Sequence, residues 1–270
     1  MTKPKIACIQ ALAGAMMRDF LCKDESRYYL AGFLIEPDPE AGGVIVVATD
    51  GAKMLTVHDP LGRADGPMIV KVAPKLLKQK PQVGPNWLVV RQWEDGSSRA
   101  DVVSCSRTKD RHDDPVALTE RSTANIVGTQ HMAVIDATFP EWRRTMPTRN
   151  TNRGGTSFIG FHQLKAFDLP YTADETGLFK VDRAPGAGSF MLKLADEMPG
   201  APVLVDLGSK LGRYVYGCIT LELPGTASKT PGYINRVFTA IAGNVTKLKL
   251  KPEPKTAARL PVEVPAKKAA

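Results

Sequence analysis

Long apolar runs are missing from this 270-residue chain. No stretch nears the ~20 apolar residues that a membrane-spanning helix needs. The opening MTKPKIACIQ also lacks the hydrophobic segment of a signal peptide, so the cytoplasm is the expected compartment. Cysteine is scarce. Cys8, Cys22, Cys105 and Cys218 have no CxxC spacing, which argues for reduced buried thiols over zinc ligands or disulfides. His58, His112, His131 and His162 are equally scattered, so neither a metal nor a cofactor is expected. A nucleophile elbow, a P-loop, a dinucleotide glycine fingerprint and an HExxH motif are all absent. Asp50, in VATDG, is the acidic residue most open to a catalytic reading, but aspartate before glycine is also ordinary hairpin chemistry. Asp113 and Asp114 have no second carboxylate cluster with which to hold two metals. An enzyme is not expected.

What is present looks ordinary except in charge. Hydrophobic residues make up 43% and charged residues 24%, and the length suits two domains that each bury a core. The formal net charge is +8, which favours a polyanionic partner through phosphate neutralisation and counterion release. Part of the excess sits near the end, at Lys247, Lys249, Lys251, Lys255, Lys267 and Lys268, where a solubilising tail is the competing reading.

Apolar spacing predicts a helix over residues 9–22, then strands over 28–35, 44–48, 53–57 and 68–70. Gly42-Gly43 and Asp50-Gly51 supply the turns. Pro74 opens a helix reaching about residue 80, and strands follow over 87–93, 100–105 and 126–135. The polar stretch 107–123 reads as an exposed loop. A similar order then recurs: a strand over 157–161, a helix over 162–169, and strands over 178–181, 189–194, 203–207 and 214–223. A helix opened by Thr230-Pro231 and strands over 247–250 and 260–264 complete it. Each half thus reads as helix, strands, helix, strands, giving an α+β protein with domains 1–150 and 151–270.

The segment FPEWRRTMP is too apolar and too basic for an idle linker. Phe139, Trp142 and Met146 offer large surfaces, Pro140 and Pro147 stiffen the backbone, and arginines lie between. This is the composition of a docking surface, or of a strap packed on both domains. Together with RYYLAG and VATDG about ninety residues earlier, it resembles the bacterial sliding clamp family, the DNA polymerase III beta subunit. The resemblance covers about 145 residues well and the remainder by element order alone.

That resemblance implies a DNA-clamp fold, with two similar domains that each place two helices before antiparallel sheets. It implies a processivity factor that encircles double-stranded DNA without reading sequence and tethers the replicative polymerase and clamp loader through linear peptides. DNA-facing candidates are Arg18 and Lys23, then Lys75, Lys78 and Lys80, then Lys165 and Arg236, each of which is singly also an ordinary surface charge. The matching peptide-cleft positions are Leu30, Thr49, Gly51, Ala52, Lys53, Met54, Pro140, Arg144 and Thr145, with Val262 and Val264 closing it. Ala52-Lys53-Met54 stands where the family has His-Arg-Leu, which removes a planar bidentate donor and changes the expected peptide. The match begins at the family's second domain, so two domains per chain imply a head-to-tail homotrimer and fit a viral or mobile-element source. A monomeric adaptor or decoy for replication peptides, and a basic DNA-binding protein without a ring, are the other readings.

Overall fold

The computed structural model describes residues 3–79, 84–105, 107–108, 111–112, 114–121, 123–146, 161–181, 191–194, 203–207 and 211–219. The chain divides into two compact units, Met1–Pro224 and Gly225–Ala270, and every described residue belongs to the first.

Strand β1 (Lys5–Gln10) runs into helix α1 (Ala11–Met16), which tightens into a 3-10 turn, Met17–Phe20. A meander follows: β2 (Phe33–Pro37), β3 (Val44–Thr49) and β4 (Lys53–Asp59). After the two-residue β5 (Arg63–Ala64), the order repeats as β6 (Met68–Val70), α2 (Pro74–Leu77), β7 (Asn86–Gln92) and β8 (Ser98–Ser104). A short hairpin, β9 (Arg107–Thr108) and β10 (Arg111–His112), and helix α3 (Pro115–Arg121) intervene before β11 (Ile126–His131) completes the second meander. Strand β12 (Val134–Ile135) leads to a 3-10 turn at Trp142–Arg144. A third round comprises α4 (Phe161–Lys165), the hairpin β13 (Tyr171–Ala173) and β14 (Phe179–Val181), and the meander β15 (Met191–Leu194), β16 (Val203–Asp206) and β17 (Val215–Ile219).

The two opening rounds exchange strands. One sheet has the order β11-β8-β7-β1-β5, and the other β12-β6-β2-β3-β4-β17-β16-β15. The strand before each helix therefore lies in the sheet of the other round, β1 beside β7 and β6 beside β2. All the pairings are antiparallel, so the described fold is α+β with antiparallel sheets and short helices. Exchange ties the rounds into one core. Ile9, Leu88 and Val102 from one sheet meet Phe33, Val46 and Leu55 from the other, with Met16, Met17 and Phe20 filling from α1 and its turn.

Several expectations are corrected. The helix expected over 9–22 is shorter, because Ile9 and Gln10 pair with β7 before the chain turns. Gly14 of α1 lies where a Cβ would sit 3.3 Å from the Leu77 and Phe33 side chains, so glycine lets α2 approach closely. The strand expected over 28–35 starts at Phe33; Glu25–Leu30 is a 3-10 turn, capped where Asp24 accepts the Ser26 amide at 2.9 Å. The loop expected over 107–123 contains α3, whose Val116 amide donates to Asp114 at 3.0 Å while the Val116 side chain is buried. The helix expected to reach residue 80 ends at Leu77. The expected strand over 157–161 falls mostly, and the elements beyond residue 225 wholly, outside the described residues.

The third round joins the first along an edge, where β17 pairs with β4 in the register Val215↔Val57 to Ile219↔Lys53. Two interior contacts reinforce that junction. Phe167, just after α4, packs edge-on against Phe20, with centroids 4.9 Å apart, and a Cβ on Gly217 would overlap the Phe167 ring. Gln10 and Asp59, both buried, form a polar hub. Gln10 donates its amide and Nε2 to Asp59, at 2.7 and 2.8 Å, and Nε2 also donates to the Gly177 carbonyl. Its Oε1 accepts the Phe179 amide at 2.8 Å, so one side chain links β1, β4 and the β13–β14 hairpin. Burial pushes the Asp59 carboxyl above its ordinary range, against the pull of these donors.

Candidate functional site

The β3–β4 turn forms a rigid corner. Gly51 takes φ +92°, which favours glycine there. Asp50 accepts the amides of Ala52 and Lys53, each at 2.9 Å, and pairs with the Lys53 ammonium at 2.5 Å. Thr49 accepts the Gly51 amide and donates to the Lys53 carbonyl. Both carboxylate oxygens of Asp50 thus serve the turn, as the hairpin reading of VATDG expects, while its carbonyl accepts from the Arg27 guanidinium at 3.4 Å.

A strap crosses the sheet beside this corner. Phe139, Trp142 and Met146 pack on a cluster formed by Leu34, Val47, Met54, Ile69 and Cys218. Trp142 Nε1 donates to Glu36 Oε1 at 3.1 Å, and the Arg143 guanidinium pairs with the same oxygen at 2.7 Å while lying 4.4 Å over the indole. One carboxylate on β2 therefore pins both strap side chains.

Between corner and strap lies a cleft of about 140 Å³. Leu30, Thr49, Gly51, Ala52, Lys53 and Met54 line one side, Pro140, Trp142 and Thr145 the other, and Cys218 contributes from β17. Nine residues named as cleft candidates from the sequence are Leu30, Thr49, Gly51, Ala52, Lys53, Met54, Pro140, Arg144 and Thr145, and the structure brings all but Arg144 onto this wall. Arg144 is exposed on the strap and does not line the cleft. Val262 and Val264 lie outside the described residues. Trp142 and Cys218 were missed as lining. Cys218 stands directly opposite Met54 across the β17–β4 ladder, a pairing that no local pattern announces.

The cleft is mainly apolar with its charge internally compensated. Burial pushes the Cys218 thiol up to about 12, so it acts as a small neutral wall. Burial raises the Asp50 pKa, but the Lys53 ammonium and the two amides outweigh it and hold the carboxyl below its ordinary value. The folded pKa being depressed, the pair stabilises the fold above the unfolded value and loses that contribution as pH falls through the folded one. Asp50→Asn is expected to lower the melting temperature at pH 7, with the difference from wild type shrinking as the pH falls below the ordinary carboxylate range. A constant difference across that range would refute the pairing.

Of the basic candidates, Lys75 and Lys165 sit on α2 and α4, whereas Arg18 lies in the 3-10 turn after α1, Lys23 in the loop beyond it and Lys78 just past α2. Arg18, Lys23, Lys75, Lys78 and Lys165 are all exposed. Arg18 and Lys78 flank one small crevice between α1 and α2, and the Phe20–Phe167 contact sets the α4 segment beside α1's turn. Arg18 is not free: it makes a forked pair with Asp19, at 2.9 and 2.7 Å. That hydrogen bond, with Lys78 and Lys23 nearby, holds the Asp19 carboxyl below its ordinary range. Lys80 and Arg236 lie outside the described residues. Among the described residues, no helix is long and apolar enough to cross a membrane.

No protein-family model matches the sequence, and no curated protein does. Solved structures similar to the chain are bacterial DNA polymerase III beta sliding clamps. A Bartonella birtlesii clamp bound to griselimycin aligns at a TM-score of 0.47 and 13% identity, covering 82% of this chain and 67% of that one. A Helicobacter pylori clamp with diflunisal aligns at 0.48 and 13%, with the same coverage. A Helicobacter pylori clamp bound to a DNA ligase peptide aligns at 0.44 and 13%, again over 82% and 67%. The role assigned to the site rests on its geometry.

Proposed function

We propose that this chain is a DNA sliding clamp, a processivity factor that surrounds duplex DNA and holds replication proteins by short peptides. The observation that carries the reading is the convergence of Leu30, the 49–54 corner, the strap and Cys218 on one small apolar cleft. The exposed basic side chains support it, because Arg18 and Lys78 beside the α1–α2 crevice suit phosphate contacts that position DNA without reading it. The polymerase and the clamp loader are the partners proposed for the cleft, and no chemistry of its own belongs to the reading. Domains 1–150 and 151–270 are part of it. So is a homotrimeric ring, since β11 is the terminal strand of its sheet among the described residues and β4 with β17 shows how two such edges join. Mass photometry at micromolar concentration should give three times the 29.2 kDa protomer mass, and monomer alone would remove the ring.

The test of the DNA face is the salt dependence of binding. Replacing Lys23, Lys75, Lys78 and Lys165 together by alanine should cut the slope of log K against log salt by about 3 to 4 for each protomer of the ring that touches DNA, near 0.9 per lost phosphate contact. Retention on circular DNA that is released when the circle is cut is the accompanying outcome. An unchanged slope, or equal retention on linear DNA, counts against the clamp.

A further inference from the structure

The strap has a second side. A groove of about 430 Å³ runs between it and the sheet, with Leu34 and Ile69 among its lining residues and Lys5 and Gln92 also on its wall. Pro140 and Trp142 line this groove and the cleft alike, so the two recesses meet at the indole. Chain running through the cleft past Trp142 would enter the groove. The wall from Val134 to Thr138 follows β12, the terminal strand of its sheet among the described residues, which suits an extended segment lying alongside.

Charge decides what that segment carries. Glu36 is neutralised by Arg143 and also bonds Trp142, while Lys5 donates to the Pro67 carbonyl at 2.6 Å and keeps its positive charge, so the groove carries one acidic charge in excess. That leaves Asp136 and Glu141, both exposed and without an ion pair among the described residues. We propose that the groove receives the basic flank of the peptide whose apolar anchor fills the cleft, Asp136 and Glu141 facing its lysines or arginines. The inference rests on the peptide-cleft reading and adds the chemistry of the ligand's second half. It runs against the chain's overall charge of +8, which by itself favours an acidic flank.

The experiment uses the full chain and fluorescein-labelled peptides with a common Leu-Leu-Phe anchor. Flanks of Gly-Ser, Lys-Gly-Lys or Glu-Gly-Glu are placed on either side, and affinity is read by anisotropy. On one side the Lys flank should bind about five-fold tighter than the Glu flank, the scale of two exposed ion pairs. Asp136→Lys with Glu141→Lys should abolish or reverse that preference and leave the Gly-Ser peptide unchanged. Equal affinities for Lys and Glu flanks, or a Lys preference surviving the double substitution, would overturn the groove and leave the cleft standing. Failure of the Gly-Ser peptide to bind would overturn both.

Discussion

Truncating Phe167 to alanine is expected to cost about 3–5 kcal/mol, read as a lower urea midpoint at unchanged slope. The ring is 1% exposed, lies edge-on to the fully buried Phe20, and fills the space that Gly217 leaves beside β17. It thus occupies the corner where α4, the turn after α1 and the β17–β4 junction meet. Removal leaves a cavity beside the β17–β4 ladder, whose hydrogen bonds limit collapse into the void. Gly217→Ala, which adds bulk at the same place, should also destabilise, by about 1–3 kcal/mol. A Phe167→Ala loss below about 1 kcal/mol would mean that the third round is not docked on this core.

Trp142→Ala should weaken binding of a cleft peptide by about 30-fold, corresponding to roughly 2 kcal/mol. The indole walls both recesses and is held by Glu36 and stacked on by Arg143, so it presents a large rigid surface at little entropic cost. Its loss merges cleft and groove into one shallow depression. Trp142→Phe retains most of the apolar area but drops the bond to Glu36, and a loss of only a few-fold is expected. Because Trp142 is only partly buried, thermal unfolding should move little in either variant, separating binding from stability. An alanine variant that binds as wild type would remove Trp142 from the ligand's contacts.

The corner and the strap were legible in the sequence because their chemistry is local, whereas the cleft positions came from the resemblance to sliding clamps. Asp50-Gly51 requires a tight turn whatever surrounds it, and the structure places the corner there with Asp50 consumed by its own backbone. The strap announced itself by putting Phe139, Trp142 and Met146 among prolines and arginines, too much apolar surface for a linker. The helix boundaries were less legible. Periodicity could not separate Ile9 in a strand from Leu12 in a helix, since both positions face the same core. Helix α3 was hidden by the polar run RTKDRHDD before it, and only Val116 of it is buried.

By itself, then, the sequence determined the order of helix and meander in residues 5–131, the turn corner and the aromatic strap, all of them set by neighbours a few residues apart. The tertiary structure alone decided that β1 and β6 change places between sheets, that Cys218 faces Met54, and that Asp19 compensates Arg18. The first two join residues tens to more than a hundred positions apart, and the third depends on how two exposed side chains orient. Strand alternation states which face of a residue is buried; it does not name the strand that buries it.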